Sequence, residues 1–321
     1  MSHSYDVLII GAGLSGIGAA CQLAIDCPEK DFAILEARTQ IGGTWDLFRY
    51  PGVRSDSPMY ALGYDFHPWK DKKVIAEGGS ILEYIQQTAI EYGIDKHIRH
   101  EHKVVSVHWS TSEATWTVKV KRAEQFLSYR CRFLYSCAGY YNYQGGYIPE
   151  FPSREKFSGD FIHPQFWPQN FSVSGKRVIV IGSGATAVTL APAIASETSH
   201  VTLLQRSPSY VLSLPSIDRL APALRYVLPQ FWVYKMIRFG QVVLEFFLYW
   251  FSRSYPALMR WILMNLAERQ MGPEQDMAHF SPRYDPWMQR LCIDADGKFF
   301  QAIRSKRISV VTDTIENFTE D

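Results

Sequence analysis

The chain has 321 residues, enough for two domains at roughly 100–200 residues each. Its composition, with 47% hydrophobic and 20% charged residues, is ordinary for a globular protein. Its formal charge of +1 lacks the excess of basic residues expected of a nucleic-acid-binding protein. The five cysteines include no C-x-x-C pair, which predicts reduced thiols and no metal site. No basic leader precedes the first predicted strand. We therefore expect a cytoplasmic protein.

The first fifty residues predict a strand, a glycine-rich turn, a helix and a second strand. Residues 5–10 (YDVLII) form a continuous apolar run, which is typical of a parallel strand buried on both faces. Small and apolar residues then recur at helical spacing, and residues 32–36 (FAILE) predict the second strand. Farther along, residues 104–120 alternate between apolar and polar and predict a small antiparallel sheet, and residues 132–141 predict another buried strand.

The same pattern restarts at residue 176. Residues 176–195 predict strand, glycine-rich turn and helix, and residues 200–207 predict the next strand. Residues 209–279 are rich in proline and aromatics and predict a helical insertion. Its most apolar run, residues 241–251, is shorter than the roughly 20 residues of a membrane span, so a weak peripheral contact with a membrane is the alternative to packing. Residues 307–318 return to a strand pattern.

The first glycine-rich turn has the G-x-G-x-x-G spacing of a dinucleotide site, at Gly11, Gly13 and Gly16. These glycines permit a tight turn, close approach of the backbone to a pyrophosphate, and close packing of helix on strand. Glu36 ends the second strand, 25 positions after Gly11 (36 − 11), where a carboxylate can bind ribose hydroxyls. The alternative is a tight turn without a ligand.

The second turn reads G-x-G-x-x-A, at Gly182, Gly184 and Ala187, and its following strand ends differently. Arg206 and Ser207 stand where an acid would be expected. A guanidinium and a hydroxyl would bind a 2′-phosphate, which a carboxylate would repel, so this site predicts NADP(H) rather than NAD(H). The alternative for Arg206 is a solvated surface arginine.

Two sites of opposite charge predict FAD at the first turn and NADPH at the second. The predicted fold class is therefore α/β, with two Rossmann-like dinucleotide-binding domains and a helical insertion. We predict an FAD-binding domain over residues 1–148, and a first NADP-binding part over 149–208 that includes a linker. The insertion is predicted over 209–282 and a second NADP-binding part over 283–321.

Two longer motifs resemble those of the flavin-dependent Baeyer–Villiger monooxygenases. The pattern F-x-G-x-x-x-H-x-x-x-W-P is met by Phe157, Gly159, His163, Trp167 and Pro168. The pattern G-G-x-W-x-x-x-x-Y-P-G-x-x-x-D is met by Gly42, Gly43, Trp45, Tyr50, Pro51, Gly52 and Asp56. More narrowly, segments such as GGTWDLFRYPG and IGSGATAVTL are similar to the ethionamide-activating type within that family.

The resemblance implies roles for particular residues. At FAD it places Ser15, Glu36, Thr44, Trp45, Asp46, Leu47, Asp56 and Val104. At NADP it places Arg54, Ser55, Gly182, Ser183, Gly184, Ala185, Thr186, Ala187, Arg206 and Ser207. His163 would lie on the linker between the domains, with a hinge or positioning role.

The resemblance also implies a reaction: an oxygen atom from O2 enters beside a ketone carbonyl, or reaches sulfur, through a C4a-peroxyflavin. Arg290 matches the active-site arginine and Asp56 the acid that orients it, because a guanidinium keeps its proton beside a peroxide anion. A salt bridge between domains is the alternative for Arg290 and Asp56. The alternatives for the whole chain are an enzyme that oxygenates only nitrogen or sulfur, and a nucleotide-binding protein without turnover.

Family members continue for well over a hundred residues beyond the length of this chain. That region carries an A-T-G-x-D-like segment near the flavin and much of the substrate pocket. We therefore expect the NADP-binding part of this sequence to be incomplete, with sheet edges and apolar surface left uncovered.

Overall fold

The computed structural model describes residues 3–224, 226–272, 275–289 and 291–321, and the chain divides into two compact units. Unit 1 comprises Met1–Phe48 and Gly78–Gly146. Unit 2 comprises Arg49–Glu77 and Tyr147–Asp321. Residues 49–77, which the sequence prediction placed in the 1–148 domain, thus group with unit 2.

Strands and helices alternate over residues 3–35, 177–205 and 291–312, and elsewhere several elements of one kind follow one another. The strands are β1 (His3–Ile10), β2 (Phe32–Leu35), β3 (Ile98–Arg99), β4 (Lys103–Ser110), β5 (Thr115–Arg122), β6 (Gln125–Ser136), β7 (Arg177–Ile181), β8 (His200–Gln205), β9 (Tyr210–Leu214), β10 (Leu291–Ala295) and β11 (Ile308–Thr312). The helices are α1 (Leu14–Asp26), α2 (Thr44–Leu47), α3 (Met59–Leu62), α4 (Gly78–Glu91), α5 (Ala185–Ile194), α6 (Leu220–Leu224), α7 (Gln230–Ser254), α8 (Pro256–Met271) and α9 (Lys298–Arg304).

Unit 1 is built on one mixed sheet with the strand order β3-β2-β1-β6-β5-β4. The central strands β2, β1 and β6 are parallel, whereas β4, β5 and β6 pair antiparallel as the alternating sequence predicts. Leu8 and Leu35 of the parallel part pack with Val118 and Val120 of β5 in one core cluster. Burying each such leucine stabilises the unit by about 1.5–3 kcal/mol, which fixes β1 and therefore the turn that follows it.

Unit 2 contains a second βαβ arrangement, in which β7, α5 and β8 follow one another. Its three-stranded sheet has the order β11-β8-β7, with both pairs parallel. A separate pair, β9 and β10, is also parallel, and it brings residues 210–214 beside residues 291–295. Parallel strands place their carboxyl ends at one edge of a sheet, and this edge is where a dinucleotide binds in such folds.

The helical insertion predicted for residues 209–282 contains α6, α7 and α8, but it begins with the strand β9. The residues Tyr210-Val211-Leu212 explain this difference, because aromatic and β-branched side chains favour a strand and the first two are buried here. None of the described helices combines the length and hydropathy needed to cross a bilayer.

Candidate dinucleotide-binding sites

The first glycine-rich turn has a backbone that only glycine accommodates. Gly11 has φ +96°, and a Cβ there would lie 2.6 Å from the carbonyl oxygen of Cys137. A Cβ on Gly16 would lie 1.8 Å from the carbonyl oxygen of Gly11, so the start of α1 packs directly on the turn. The glycines at these two positions therefore serve the close helix–strand contact of a dinucleotide fold.

Helix α1 begins at this turn without a capping side chain among the described residues. Gly13 is its N-cap, and the first turn carries no acidic side chain. The N–H groups of a first turn and the positive end of the helix dipole suit an anion such as a pyrophosphate. Ser15 is exposed in that first turn, where a hydroxyl can join the same ligand.

A second backbone segment approaches the turn from Gly42 and Gly43. The Gly42 N–H donates to the Ala12 carbonyl oxygen at 2.9 Å, and a Cβ on Gly43 would lie 3.0 Å from the Gly13 Cα. Helix α2, which starts at Thr44, follows at once. The four predicted flavin contacts, Thr44, Trp45, Asp46 and Leu47, are the four residues of α2.

Glu36 lies at the carboxyl end of β2 with only 6% of its surface exposed. Its Oε2 atom accepts a hydrogen bond from the Ala12 N–H at 2.7 Å, and its Oε1 atom accepts one from the Arg38 N–H at 2.8 Å. A carboxylate has about four acceptor positions, so two of them can still receive ribose hydroxyls. The residues present thus fit a dinucleotide: uncapped helix, close glycine backbone and a fixed carboxylate.

Sequence reasoning missed Arg38, which connects several parts of this site. Its Nη2 atom lies 2.5 Å from Oδ2 of the buried Asp46, and its Nη1 atom donates to the Gly43 carbonyl oxygen at 3.4 Å. The guanidinium carbon also lies 5.5 Å from the ring centroid of Tyr143, whose pKa is raised by burial and then by the charge of Glu36. The only sequence signal was a basic residue two positions after Glu36.

Val104 occupies a different environment from the other predicted FAD contacts. It lies half-buried on β4 and packs against the core cluster that contains Leu8. The ladder between β4 and β5 shifts register between Val104 and Ser106. Such a bulge leaves backbone groups outside the regular pairing, where an adenine edge could bind them.

The second glycine-rich turn requires glycine for its conformation. Gly182 has φ +129°, and a Cβ there would meet none of the described atoms within 4 Å. Gly184 is the N-cap of α5, again with no capping side chain among the described residues. Ala187 is buried in the first turn of α5, where a small side chain lets the helix approach the sheet.

Ser183 fastens this turn to the end of β8. Its hydroxyl donates to the Ser207 carbonyl oxygen at 2.9 Å and accepts from the Ser209 hydroxyl at 3.0 Å. Arg206 and Ser207 are exposed, while the adjacent Gln205 is buried and donates to the His279 carbonyl oxygen at 2.6 Å. Arg206 is therefore exposed directly after β8, next to the residue whose carbonyl oxygen Ser183 of the second turn contacts.

The Y-P-G part of the longer motif packs on α5. Gly52 has φ +79°, and a Cβ there would lie 2.7 Å from the Ala193 Cβ and 2.9 Å from the Thr189 carbonyl oxygen. The hydroxyl of Tyr50 is hydrogen-bonded to Thr186 near the start of the helix, and burial raises the pKa of Tyr50. The motif therefore supports the helix that carries the second turn.

Arg54 is held by backbone carbonyls near β10. Its guanidinium donates to the carbonyl oxygens of Ser55 at 3.0 Å and Ile293 at 2.5 Å, and burial lowers its pKa against the opposing charges of Asp294 and Asp56. Ser55 is buried, and its hydroxyl accepts from the Ala76 N–H at 3.1 Å. Its side chain thus already has a partner in the fold.

The predicted catalytic pair is only half described. Asp56 is exposed and near Arg54, while Arg290 lies outside the described residues. The pairing of Asp56 with Arg290 stays a prediction.

Among the described residues there is no group of three or more His, Cys, Asp or Glu side chains suited to a metal ion.

Comparison with known proteins places these two sites in a family. The family model described as flavin-binding monooxygenase-like matches residues 4–223, which include both glycine-rich turns. The chain belongs to the flavin-binding monooxygenase-like family.

Relatives within the family match along almost the whole chain. MymA of Mycobacterium tuberculosis is 50% identical over 326 residues, covering 100% of this chain and 66% of the relative. The FAD-containing monooxygenase EthA of Mycobacterium tuberculosis is 49% identical over 321 residues, covering 99% of this chain and 66% of the relative. This flavin-binding monooxygenase-like chain therefore spans slightly less than two thirds of the length of these relatives.

Solved structures support the fold. The chain is similar to an oxidised steroid monooxygenase bound to NADP, with a TM-score of 0.78 and 23% identity over 96% of this chain and 65% of that one. It is also similar to the monooxygenase OTEMO in complex with FAD and NADP, with a TM-score of 0.75 and 21% identity over 97% of this chain and 66% of that one. At these identities the likeness establishes a shared α/β fold.

In this family member the F-x-G and His parts of the linker motif have local structural roles. A Cβ on Gly159 would lie 2.5 Å from the ring of Phe157, so the glycine makes room for that ring. The Nδ1 atom of His163 accepts from the Gln165 N–H at 3.2 Å and thereby caps the short turn over residues 164–166, and burial lowers the pKa of His163. The His163 side chain thus fixes a local turn, and its hinge or positioning role between domains stays a prediction.

Proposed function

We propose that this protein is an FAD- and NADPH-dependent monooxygenase that inserts one oxygen atom from O2 beside a ketone carbonyl and also oxidises sulfur compounds. The observation that carries the proposal is the opposite charge at two similar turns. Buried Glu36 stands beside the first turn, and exposed Arg206 follows the strand beside the second. One chain with two such sites binds two different dinucleotides.

FAD fits the site in unit 1. Its pyrophosphate would meet the uncapped start of α1, its ribose the carboxylate of Glu36, and its flavin the residues of α2. Arg38 would hold α2 in place through Asp46, because that carboxylate is 3% exposed and needs a compensating cation.

NADPH fits the site in unit 2. Its pyrophosphate would meet the uncapped start of α5, and its 2′-phosphate the guanidinium of Arg206 and the hydroxyl of Ser207. Tyr50 and Gly52 would keep α5 in position.

All five cysteines are reduced thiols, so we propose the reducing cytosol as the compartment.

When bound, FAD supplies the activation of O2 and NADPH supplies the hydride. The proposed reaction converts ketone, O2, NADPH and a proton into ester, NADP+ and water, with one oxygen atom in the ester and the other in water. The task of the protein is to stabilise negative charge near the flavin, and a guanidinium does so because it stays protonated. We assign this to Arg290 and its orientation to Asp56.

Ketone insertion is favoured over oxygenation of nitrogen or sulfur alone by the linker motif from Phe157 to Pro168. It is also supported by the likeness in fold to a cyclohexanone monooxygenase whose structure holds cyclohexanone, with a TM-score of 0.76 and 20% identity over 97% of this chain and 67% of that one. The names of EthA and MymA specify FAD but no substrate, so sulfur oxidation rests on the resemblance of GGTWDLFRYPG and IGSGATAVTL to the ethionamide-activating type.

The test starts with the absorption spectrum of the purified chain. Bound flavin, oxidation of NADPH and an ester from a ketone are expected. Arg290→Ala should abolish the ester yet leave reduction of the flavin by NADPH intact, whereas Arg304→Ala, at an exposed arginine of α9, should alter neither.

Each other outcome contradicts part of the proposal. A sulfoxide without ester would leave the chain as a sulfur-oxygenating monooxygenase. Colourless protein that does not oxidise NADPH would favour a nucleotide-binding protein without turnover. Loss of flavin reduction in Arg290→Ala would refute the role assigned to that arginine.

A further inference from the structure

Helix α7 carries a stripe of large apolar side chains on its outer face. The stripe consists of Trp232, Met236, Phe239, Val243, Phe246 and Trp250, which recur every three or four residues and so share one face of the helix. Their exposed fractions range from 48% to 73%. Exposed apolar patches of this extent mark a contact with another surface.

The opposite face of α7 is packed, so the orientation of the stripe is fixed. Val233 and Tyr234 are buried in a core cluster with Tyr60 and Val74 of the same unit. Near the other end, Leu248 packs on a second cluster around Tyr210. Arg238 adds hydrogen bonds to the carbonyl oxygens of Tyr60 and Gly63, at 2.6 and 2.8 Å.

The charges on α7 favour an anionic surface. Of its three basic residues, Arg238 is bonded on the packed face, which leaves Lys235 and Arg253 at the surface, against one acidic residue, Glu245. Helical spacing places Lys235 and Arg253 along the same edge of the stripe, one near each end. Lys235 lies 3.9 Å from the exposed Asp65, and Arg253 contacts the sulfur of Met288, so both lie at the surface of unit 2.

The residue types favour a lipid bilayer over a protein. The stripe is mostly aromatic and has a tryptophan at each end, about 27 Å apart along the helix axis. Tryptophan prefers the headgroup level of a membrane, and amphipathic helices with aromatic and basic faces lie in that plane. A second copy of the chain is a poor match, because an antiparallel pair of α7 helices would bring Lys235 near Arg253.

We propose that α7 docks flat on an anionic lipid bilayer through this stripe, without crossing it. The apolar side chains would enter the headgroup boundary while Lys235 and Arg253 meet lipid phosphates. The proposal does not depend on the redox chemistry of the chain. It makes this chain a peripheral membrane protein.

The test is sedimentation of the whole chain with phosphatidylcholine vesicles, with and without phosphatidylglycerol. The chain should sediment with the anionic vesicles and lose binding as salt is added. Phe239→Gln with Phe246→Gln should lower the partition coefficient at least about tenfold, because two exposed phenyl groups no longer enter the lipid. Lys235→Gln with Arg253→Gln should lower it up to about thirtyfold, on anionic vesicles alone.

A matched control replaces two equally exposed apolar residues of unit 1, Ile90→Gln with Phe126→Gln, and should bind like the unchanged chain. As a second readout, brominated lipids should quench tryptophan fluorescence, and Trp232→Phe with Trp250→Phe should remove most of that quenching. Failure of the chain to sediment would overturn the proposal, as would full binding by the Phe239/Phe246 variant. A concentration-dependent dimer that the same variant abolishes, without lipid binding, would assign the stripe to self-association.

Discussion

The guanidinium of Arg38 lies 2.5 Å from the carboxylate of Asp46, and this ion pair joins the segment after β2 to helix α2. The carboxylate is 3% exposed and the arginine side chain 28% exposed, so the pair is largely shielded from water. Arg38 also donates its backbone N–H to Glu36. One residue thus fixes both the proposed ribose acceptor and the proposed flavin helix.

Replacing Arg38 with methionine should lower both stability and retained flavin. The variant keeps an apolar stem but removes the cation beside a buried carboxylate, which costs about 1–3 kcal/mol of unfolding free energy. The midpoint of urea unfolding and the ratio of flavin to protein absorbance measure the two effects. A variant that keeps its flavin would show that Arg38 does not position α2.

The control for this pair is Lys73→Met. Lys73 and Glu77 also lie 2.5 Å apart, but their side chains are 36% and 64% exposed. An exposed pair contributes only about 0–1 kcal/mol, so unfolding should change little. Replacing Arg38 and Asp46 together with apolar residues should recover part of the stability lost in Arg38→Met, because no charge is then buried alone.

Arg206→Ala should change the choice of coenzyme. Losing a charged contact to the 2′-phosphate should raise the KM for NADPH roughly 10–100-fold and leave the KM for NADH nearly unchanged. Steady-state rates with both coenzymes give the comparison, with Arg304→Ala as the exposed arginine that should have no effect. Equal increases for NADPH and NADH would mean that Arg206 does not contact the phosphate.

The sequence could predict the two βαβ units because their signals are local. A buried apolar run, a glycine turn and small residues at helical spacing need no distant partner, and both turns were found where they were expected. The pairing of β9 with β10 could not be predicted in this way, since it joins residues 210–214 to residues 291–295. Such pairing depends on packing across the fold rather than on neighbours in sequence.

In the candidate sites too, local features could be predicted from the sequence and long-range contacts could not. Glu36 and Arg206 were predictable from their spacing after the glycine turns, because the length of the helix fixes where the next strand ends. Arg38 and Tyr143 were not, since their contact is set by where the chain returns after β6. Ser55 has the motif position of a ligand contact, yet its hydroxyl accepts from the Ala76 N–H.

Gly52→Ala should destabilise unit 2 by roughly 1–3 kcal/mol, through backbone strain together with a clash against α5. The added Cβ would lie 2.7 Å from the Ala193 Cβ and 2.9 Å from a helix carbonyl. Gly175→Ala separates the two causes, because Gly175 has φ +69° but no described atom within 4 Å of a Cβ. Urea unfolding should show a larger loss for Gly52→Ala, and equal losses would mean that α5 shifts to accept the methyl group.

Asp294 should make the stability of unit 2 depend on pH. Burial raises its pKa, although the N–H groups of Phe299 and Phe300, the Ser213 hydroxyl and Arg54 oppose that shift. A carboxyl whose folded pKa exceeds its unfolded value of about 3.9 binds its proton more tightly in the folded state. Its contribution to unfolding free energy is therefore present below the unfolded pKa and is lost as pH rises through the folded pKa.

Asp294→Asn removes that titration while keeping one acceptor for the start of α9. The stability of the unchanged chain relative to the variant should thus fall as pH rises from about 4 to about 8. Urea midpoints of both proteins over this range give the difference. Other groups cancel in it, including Asp296: desolvation opposes its ionisation, but the hydrogen bonds from Ser216 together with the charges of Lys298 and Lys73 lower its pKa. If the unchanged chain instead gains stability relative to Asp294→Asn as pH rises, the prediction is wrong. Arg54 and the helix N–H groups would then outweigh burial, and the carboxylate form of Asp294 would stabilise β10 and α9.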